Sequence, residues 1–283
     1  MPEFPEIESI RQYLQANILN EVISEVKTFQ HTVIRNPSKD EFEVLLQDAK
    51  LDHIERIGKL LVFKLQKFNL FLHLYIDHGL TGRLAWCSSQ ELPRRTVFLI
   101  KFRNEKTLIY HDSKLHGAVW LFSNINHQQL EYPPVIDSWG PDITQITENE
   151  FIERLRRFNG EIKGILTNQK FITGIGNAYA DEILFEAKIH PFNKRPQLTE
   201  KEKTRLFLAC RNTLSTSISK ISDMLNKTHK LDNQRYWRQQ IFKIHLKGKQ
   251  PCSSCGNPIS TIKARRITNF CRNCQIPKNK NFI

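Results

Sequence analysis

Long apolar runs are absent from the 283-residue chain: none approaches the roughly 18 residues that a membrane-spanning helix requires. The opening segment also lacks the basic-then-apolar pattern of a secretory leader and carries Glu3, Glu6 and Glu8 instead. A soluble protein is therefore expected, with an intracellular, cytoplasmic location and no membrane partner. Internal repeats and low-complexity tracts are missing, which excludes repeat arrays. Cysteine is sparse, and of the six present Cys87 and Cys210 stand alone, as small buried residues do.

Acidic residues fall short of basic ones. The chain has 29 Asp and Glu against 42 Lys and Arg, a net charge of +13. Residues 241–283 hold nine basic residues (Lys243, Lys247, Lys249, Lys263, Arg265, Arg266, Arg272, Lys278 and Lys280) and no acid. Such one-sided charge suits a polyanion, because neutralising phosphates releases their counterions and makes binding fall steeply with salt. A merely solvated basic surface is the alternative. A membrane surface is a poorer match, since the segment has no amphipathic helical stripe.

What is present points to an α+β protein of more than one domain. At 40% hydrophobic and 25% charged, the composition is that of a globular chain. Phe4, Ile7, Ile10, Leu14 and Ile18 recur at helical spacing, with Pro5 tolerable in a first turn, so a helix is expected over 4–18. From Val22 to Phe122 the pattern turns to β-rich runs (22–28, 51–65, 70–76, 96–102, 107–110 and 118–122), which suggests a β-sandwich. Pro133, Pro134, Gly140 and Pro141 mark a linker. Helical patterns then cover 148–157, 162–166, 178–187 and 199–219. The expected division is 1–130, 131–240 and 241–283.

The last segment is too short for its own hydrophobic core and needs another staple. Cys252, Cys255, Cys271 and Cys274 supply one, as two Cys-x-x-Cys knuckles separated by fifteen residues. Four thiolates close a tetrahedral site around one structural Zn²⁺ and leave no open position for catalysis. A disulfide pair is disfavoured in a reducing cell, and a redox dithiol needs only one knuckle. The loop between knuckles displays Lys263, Arg265 and Arg266 toward the polyanion.

Between two helical patterns lies Lys170-Phe171-Ile172-Thr173-Gly174-Ile175-Gly176-Asn177. Glycines let a backbone approach a phosphate, and the amides opening the next helix point at it. A plain turn is the alternative. Asn177 reads either as the cap of a helix beginning at Ala178 or as a phosphate ligand, and the two are compatible.

The start MPEFPEIE, the block QKFITGIGNAYADEILFEAKIHP and the terminal PCSSCG with ARRITNFCRNCQ together resemble the formamidopyrimidine-DNA glycosylase and endonuclease VIII family of bacterial repair enzymes. The resemblance spans nearly the whole chain. It implies an N-terminal catalytic β-sandwich, a helix-two-turn-helix domain and a zinc-finger β-hairpin, with damaged double-stranded DNA gripped between the domains. Implied chemistry starts at Pro2, whose amine is freed once Met1 is removed. Glu3 is similar to the family's general acid, and Glu6 supports that geometry among the DNA-contacting positions. Taken alone, a proline followed by acids simply begins a helix.

By the same resemblance Lys59 contacts phosphate and assists catalysis from a β-turn, and Arg266 grips the phosphates around the lesion. Each also reads as a solvated cation. Leu80 looks like the apolar wedge that fills the stack when a nucleotide is flipped out, although a lone leucine is more often core. Where the family carries Asp-Pro-Arg-Arg-Phe-Gly, this chain has Asp112-Ser113-Lys114-Leu115-His116-Gly117, so Lys114 keeps a charge without the bidentate fork of arginine. The resemblance also implies Arg94 as a further phosphate contact. The segment 220–247 corresponds to the loop over the flipped base, lacks a Gly-Thr-Thr element, and carries Tyr236 and Trp237, which stack on a base or pack the domain. A bifunctional glycosylase and abasic-site lyase acting as a monomer on oxidised bases is thus expected, with oxidised pyrimidines an alternative to purines. A DNA-binding zinc protein without chemistry is the rival.

Overall fold

The structure, a computed structural model, describes residues 1–86, 92–125, 131–263 and 266–278. Cys87, Arg265 and Lys280 lie outside the described residues. The chain forms two compact units, one comprising Met1–Asp137 with Ile221–Trp237 and the other Ser138–Lys220 with Arg238–Ile283. No helix among the described residues is long and apolar enough to cross a membrane.

The first unit opens with helix α1 (Phe4–Ile18), capped by Glu3, whose backbone N–H donates to Glu6 Oε2 at 2.8 Å. Proline sits in the first turn, where no intrahelical N–H is lost. The expected stripe of Phe4, Ile7, Ile10, Leu14 and Ile18 is wholly buried. There follow β1 (Ile23–Thr28), β2 (Ile34–Asn36), α2 (Lys39–Leu46), β3 (Lys50–Ile57), β4 (Leu60–Lys67), β5 (Leu70–Asp77), β6 (Gly82–Trp86), β7 (Thr96–Phe102), β8 (Thr107–Asp112) and β9 (Ala118–Ile125). They build a β-sandwich from a four-stranded sheet, β1-β7-β8-β6, and a five-stranded sheet, β2-β9-β5-β4-β3, antiparallel except where β2 joins β9.

The run over 51–65 is two strands rather than one. Gly58 takes φ +57°, which lets the chain reverse through Gly58-Lys59 and pairs Ile57 with Leu60. Strands β2 and β6 escape the periodicity because each is short. Helix α2 is announced by a Ser38-x-x-Glu41 capping box, with Ser38 N–H donating to Glu41 Oε2 at 3.2 Å. Phe42, Phe98 and Tyr110 form a buried aromatic run with successive ring centroids 5.4 Å apart. Burying each such ring stabilises the unit by about 2 to 3 kcal/mol.

The second unit contains α3 (Glu148–Arg156), α4 (Ile162–Leu166), α5 (Asn177–Glu186) and most of α6 (Glu200–Thr228). Thr147 and Thr199 start α3 and α6, and their N–H groups donate to Glu150 and Glu202 at 2.8 and 2.7 Å. The pattern over 199–219 understates α6, which runs on to Thr228 because Ile221 and Leu225 continue its buried stripe. The unanticipated α7 (Gln234–Ile241) is mostly polar and buries Trp237 and Gln234.

A final hairpin pairs β10 (Ser260–Lys263) with β11 (Ile267–Phe270). Its core is borrowed: Cys252, Ile259 and Cys271 pack with Phe185 of α5 and Ile244. Cys210, on α6, is fully buried, and burial pushes its thiol pKa up.

Candidate active site and nucleic-acid interface

One end of the first unit gathers most of the residues singled out in its sequence. Strand register sets Leu60 against Asp77 and Asp77 against Ala118, while Gly82 faces Asp112. The turns 58–59, 78–81 and 113–117 therefore emerge at the ends of neighbouring strands. Arg56 joins α1 to this end. Its guanidinium lies 3.6 Å from the centroid of the Phe4 ring, its Nε reaches Glu8 Oε2 at 3.2 Å, and its Nη1 donates to Gly58 O at 2.9 Å. The first turn of α1, with Pro2 and Glu3 before it, is thus fastened to the turn bearing Lys59. No sequence pattern marks Arg56, because its partners are a ring and a carbonyl on other elements.

Pro2 and Glu3 are buried and Lys59 is half-buried. Glu6 is fully buried and engaged with the backbone of Glu3, so it acts on Glu3 rather than as a contact to a polyanion. Burial raises the carboxyl pKa of Asp77, against the Gly79 N–H, which donates to its Oδ1 at 2.9 Å, and the nearby charge of Lys59. His78 is fully enclosed, and neither ring nitrogen has a hydrogen-bond partner among the described residues. Burial, helped by Arg83 and the N-terminal ammonium and opposed by Asp112, pushes its pKa down to about 3. The imidazole is neutral at physiological pH. Leu80 is 54% exposed, not core, and Arg94 and Lys114 are exposed on turns.

The second unit carries a groove lined by Trp139, Lys163, Asn168, Lys170, Arg266 and Thr268 among others. Gln169 and Lys170, which lead into the glycine turn, are part of its wall. Gly174 takes φ +94°, and Gln169 braces the turn by accepting from Gly174 N–H at 2.9 Å and donating to Ile175 O at 2.7 Å. Arg154 donates to Phe171 O and Lys170 O at 3.1 and 2.9 Å. Gly140 approaches so closely that a Cβ there would meet Lys170 O at 2.5 Å.

The cap of α5 is Gly176, not Asn177, which is the first helical residue. A tertiary bond captures its side chain: Asn177 Nδ2 donates to Ile267 O at 2.9 Å. Lys163 Nζ donates to the same carbonyl at 2.9 Å and to Thr268 Oγ1 at 2.9 Å. Together they fix the start of β11, and hence Arg266, which is exposed one residue earlier. Beneath lies a buried cluster in which Asp181 meets Lys163 at 2.6 Å, His245 at 2.7 Å and Asn269 Nδ2 at 3.0 Å. Adjacent Glu182 accepts the N–H groups of Lys243, Ile244 and His245 at 2.8, 2.9 and 2.8 Å. Burial outweighs those bonds and raises its pKa.

The sulfur atoms of Cys252, Cys255, Cys271 and Cys274 all lie within 4.8 Å of one another. Two of the separations are 3.9 Å (Cys252 to Cys274) and 3.4 Å (Cys255 to Cys271). Zinc–sulfur bonds near 2.3 Å in a tetrahedron imply sulfur spacings of roughly 3.8 Å, so the donor set fits one structural zinc ion. The backbone N–H of Asn257 is the main reason the Cys255 thiol is held down to about 6. When bound, the metal closes the base of the hairpin. Of the described residues between the knuckles, Lys263 and Arg266 are exposed.

Comparisons with known proteins agree with this arrangement. The family profile described as Formamidopyrimidine-DNA glycosylase N-terminal domain matches residues 1–119, and the Formamidopyrimidine-DNA glycosylase H2TH domain matches residues 139–227. The chain is 32% identical to formamidopyrimidine-DNA glycosylase of Pelotomaculum thermopropionicum, covering 97% of this chain and 99% of the relative. It is 31% identical to that of Mycoplasma mobile with the same coverage. The solved complex of Lactococcus lactis Fpg with abasic-site DNA matches with a TM-score of 0.83 at 27% identity, covering 97% of this chain and 99% of that one. A complex of the same Lactococcus lactis protein with FAPY-dG containing DNA matches with a TM-score of 0.82 at 28% identity, covering 97% and 100%.

Proposed function

Because this chain belongs to the formamidopyrimidine-DNA glycosylase family, we propose that it excises oxidised bases from duplex DNA through the amine of Pro2. It is a DNA glycosylase and abasic-site lyase of base excision repair, and damaged DNA is its partner. The finer reading concerns which atoms do the work.

Removal of Met1 frees a secondary amine at Pro2. An α-amino group titrates at about 7.7 to 8.0, so a neutral fraction exists near pH 7. The nitrogen lone pair forms a bond to the deoxyribose C1′ as the glycosidic bond breaks and the base leaves with a proton. Glu3 protonates the ring oxygen, and the sugar opens to an iminium. The positive charge draws electrons toward nitrogen: a base removes the C2′ proton, the C3′–O bond breaks, and the 3′ phosphate departs. Lys59 holds phosphate beside the reacting sugar. Leu80 fills the stack vacated by the flipped nucleotide, with Arg94 and Lys114 on the flanking strand. Arg266 and the opening of α5 take the phosphates around the lesion.

What supports this reading is Arg56, which fastens the first turn of α1 to the turn bearing Lys59. Both sets of residues come from one chain, which favours a monomer. Relatives solved with FAPY-dG containing DNA favour an oxidised purine substrate. A second reading, oxidised pyrimidines, is favoured by α7, where Tyr236 is exposed while Trp237 packs the interior. Cleavage of matched duplexes bearing 8-oxoguanine, formamidopyrimidine, thymine glycol or dihydrouracil separates the two.

Borohydride reduction tests the chemistry. Processed protein incubated with abasic-site DNA should yield a covalent adduct that depends on Pro2. Absence of that adduct would favour a zinc protein that binds DNA without reacting.

A further inference from the structure

The turns that carry Leu80, Arg94 and Lys114 converge on one buried residue, two of them on its carboxylate and the third on its backbone. Asp112 ends β8 and is completely enclosed. Its Oδ1 accepts the Thr81 hydroxyl in a short hydrogen bond and the Lys114 N–H at 3.2 Å, while Oδ2 accepts the Gly117 N–H at 2.7 Å. The Asp112 N–H donates to Arg95 O at 3.0 Å, and its carbonyl accepts the Leu115 N–H at 3.2 Å. Thr81 Oγ1 also accepts the Lys114 N–H at 3.2 Å. At Gly79, φ is +51° and a Cβ would fall 2.4 Å from His116 O, so the 78–81 and 113–117 turns touch backbone to backbone.

Burying a carboxylate is costly unless its lone pairs are taken up, and charge-assisted bonds are the strong ones. Closing a single turn needs only one of these bonds. Here a single side chain spans two turns and its backbone a third, so displacing any one of them strains the others. A side chain that enters a base stack must be held to about 0.5 Å if the opening it fills is to match a single nucleotide.

We propose that Asp112 is a positioning residue for damage search: with Thr81 it locks the turns bearing Leu80, Arg94 and Lys114 into one rigid reader that enters the duplex as a unit. This rests on the reading of Leu80 as the side chain that fills the vacated stack. Excision of a base from intact duplex requires the reader. Cleavage of an abasic site in a single strand has no stack to enter and does not.

Both reactions are measured under single-turnover conditions on full-length protein, with thermal unfolding recorded for each variant. Thr81→Val removes the hydroxyl and should slow duplex excision by about ten- to hundredfold, the scale on which small misplacements act, while leaving single-strand abasic cleavage unchanged. Thr81→Ser should restore excision. Asp112→Asn should act in the same direction, and if it does not fold the Thr81 pair carries the test. A Thr81→Val protein that excises at the wild-type rate, or that loses both reactions equally, overturns the proposal. Leu80→Ala separates the layers. If it leaves duplex excision intact, the reading of Leu80 fails and the proposal with it; if it slows excision while Thr81→Val does not, the positioning role alone fails.

Discussion

Lys163 Nζ and Asp181 Oδ1 meet at 2.6 Å with their side chains 7% and 0% exposed, so two opposite charges are held almost entirely out of water. Removing one partner strands the other. Asp181→Ala should cost about 3 to 5 kcal/mol, the range for breaking a buried ion pair, read as a lowered urea midpoint. Replacing both residues, Lys163→Met with Asp181→Leu, should recover only part of that loss, since the Lys163 charge is no longer stranded but His245 and Asn269 still lose their carboxylate partner. An unchanged midpoint in Asp181→Ala would contradict the geometry.

Glu3→Gln preserves the size of the side chain that precedes α1 but removes its acid. Base excision should fall by about 100-fold or more, the scale of general acid catalysis, while cleavage of a preformed abasic site falls much less. Equal losses in the two assays would remove Glu3 from the proton-donor role.

Zinc content should be close to one per chain. Chelation, or Cys252→Ser, should unfasten the hairpin and weaken DNA binding, because the segment cannot fold by burial alone. An affinity that survives metal removal would show that the finger does not hold the DNA.

Arg266 is exposed, one residue before a strand whose first carbonyl is held by Lys163 Nζ. Arg266→Ala should flatten the plot of log affinity against log salt by about one unit of slope. A slope equal to that of the wild type would mean that Arg266 meets no phosphate.

His78 links stability to pH. Its folded pKa of about 3 lies below the ordinary 6.5, so between those values the unfolded chain takes up a proton that the folded chain refuses. Stability is therefore full above pH 6.5 and declines as pH falls toward 3, by at most about 1.4 kcal/mol per pH unit. His78→Leu should shallow that decline in urea unfolding. His190, held down to about 4 chiefly by burial, preserves part of it. An identical profile in the variant would refute the assignment to His78.

Features written into short stretches were legible from sequence. The stripe of α1 repeats over four turns, and the cysteine knuckles declare their ligands by local spacing. Polar tertiary contacts were not, because they have no period. Asp181 reaches Asn269 across 88 positions and Lys163 reaches Thr268 across 105. Arg56 acts through a ring and a carbonyl, and Gln169 through backbone it braces. Of the two readings of Asn177, the cap fails because residue type predicts local competition for N–H groups, whereas here a distant carbonyl takes the amide and Gly176 is the cap. Helix α6 outran its expected end because polar residues interleave its last buried positions.

Gly79 has two independent reasons to stay what it is: a left-handed backbone, and a carbonyl where its first side-chain carbon would go. Leu80, the next residue, has neither and is largely exposed. Adjacent positions thus differ sharply in what holds them, one fixed by backbone geometry and one without that constraint. A substitution at Leu80 therefore changes what the exposed tip presents without disturbing the Gly79 backbone beneath it.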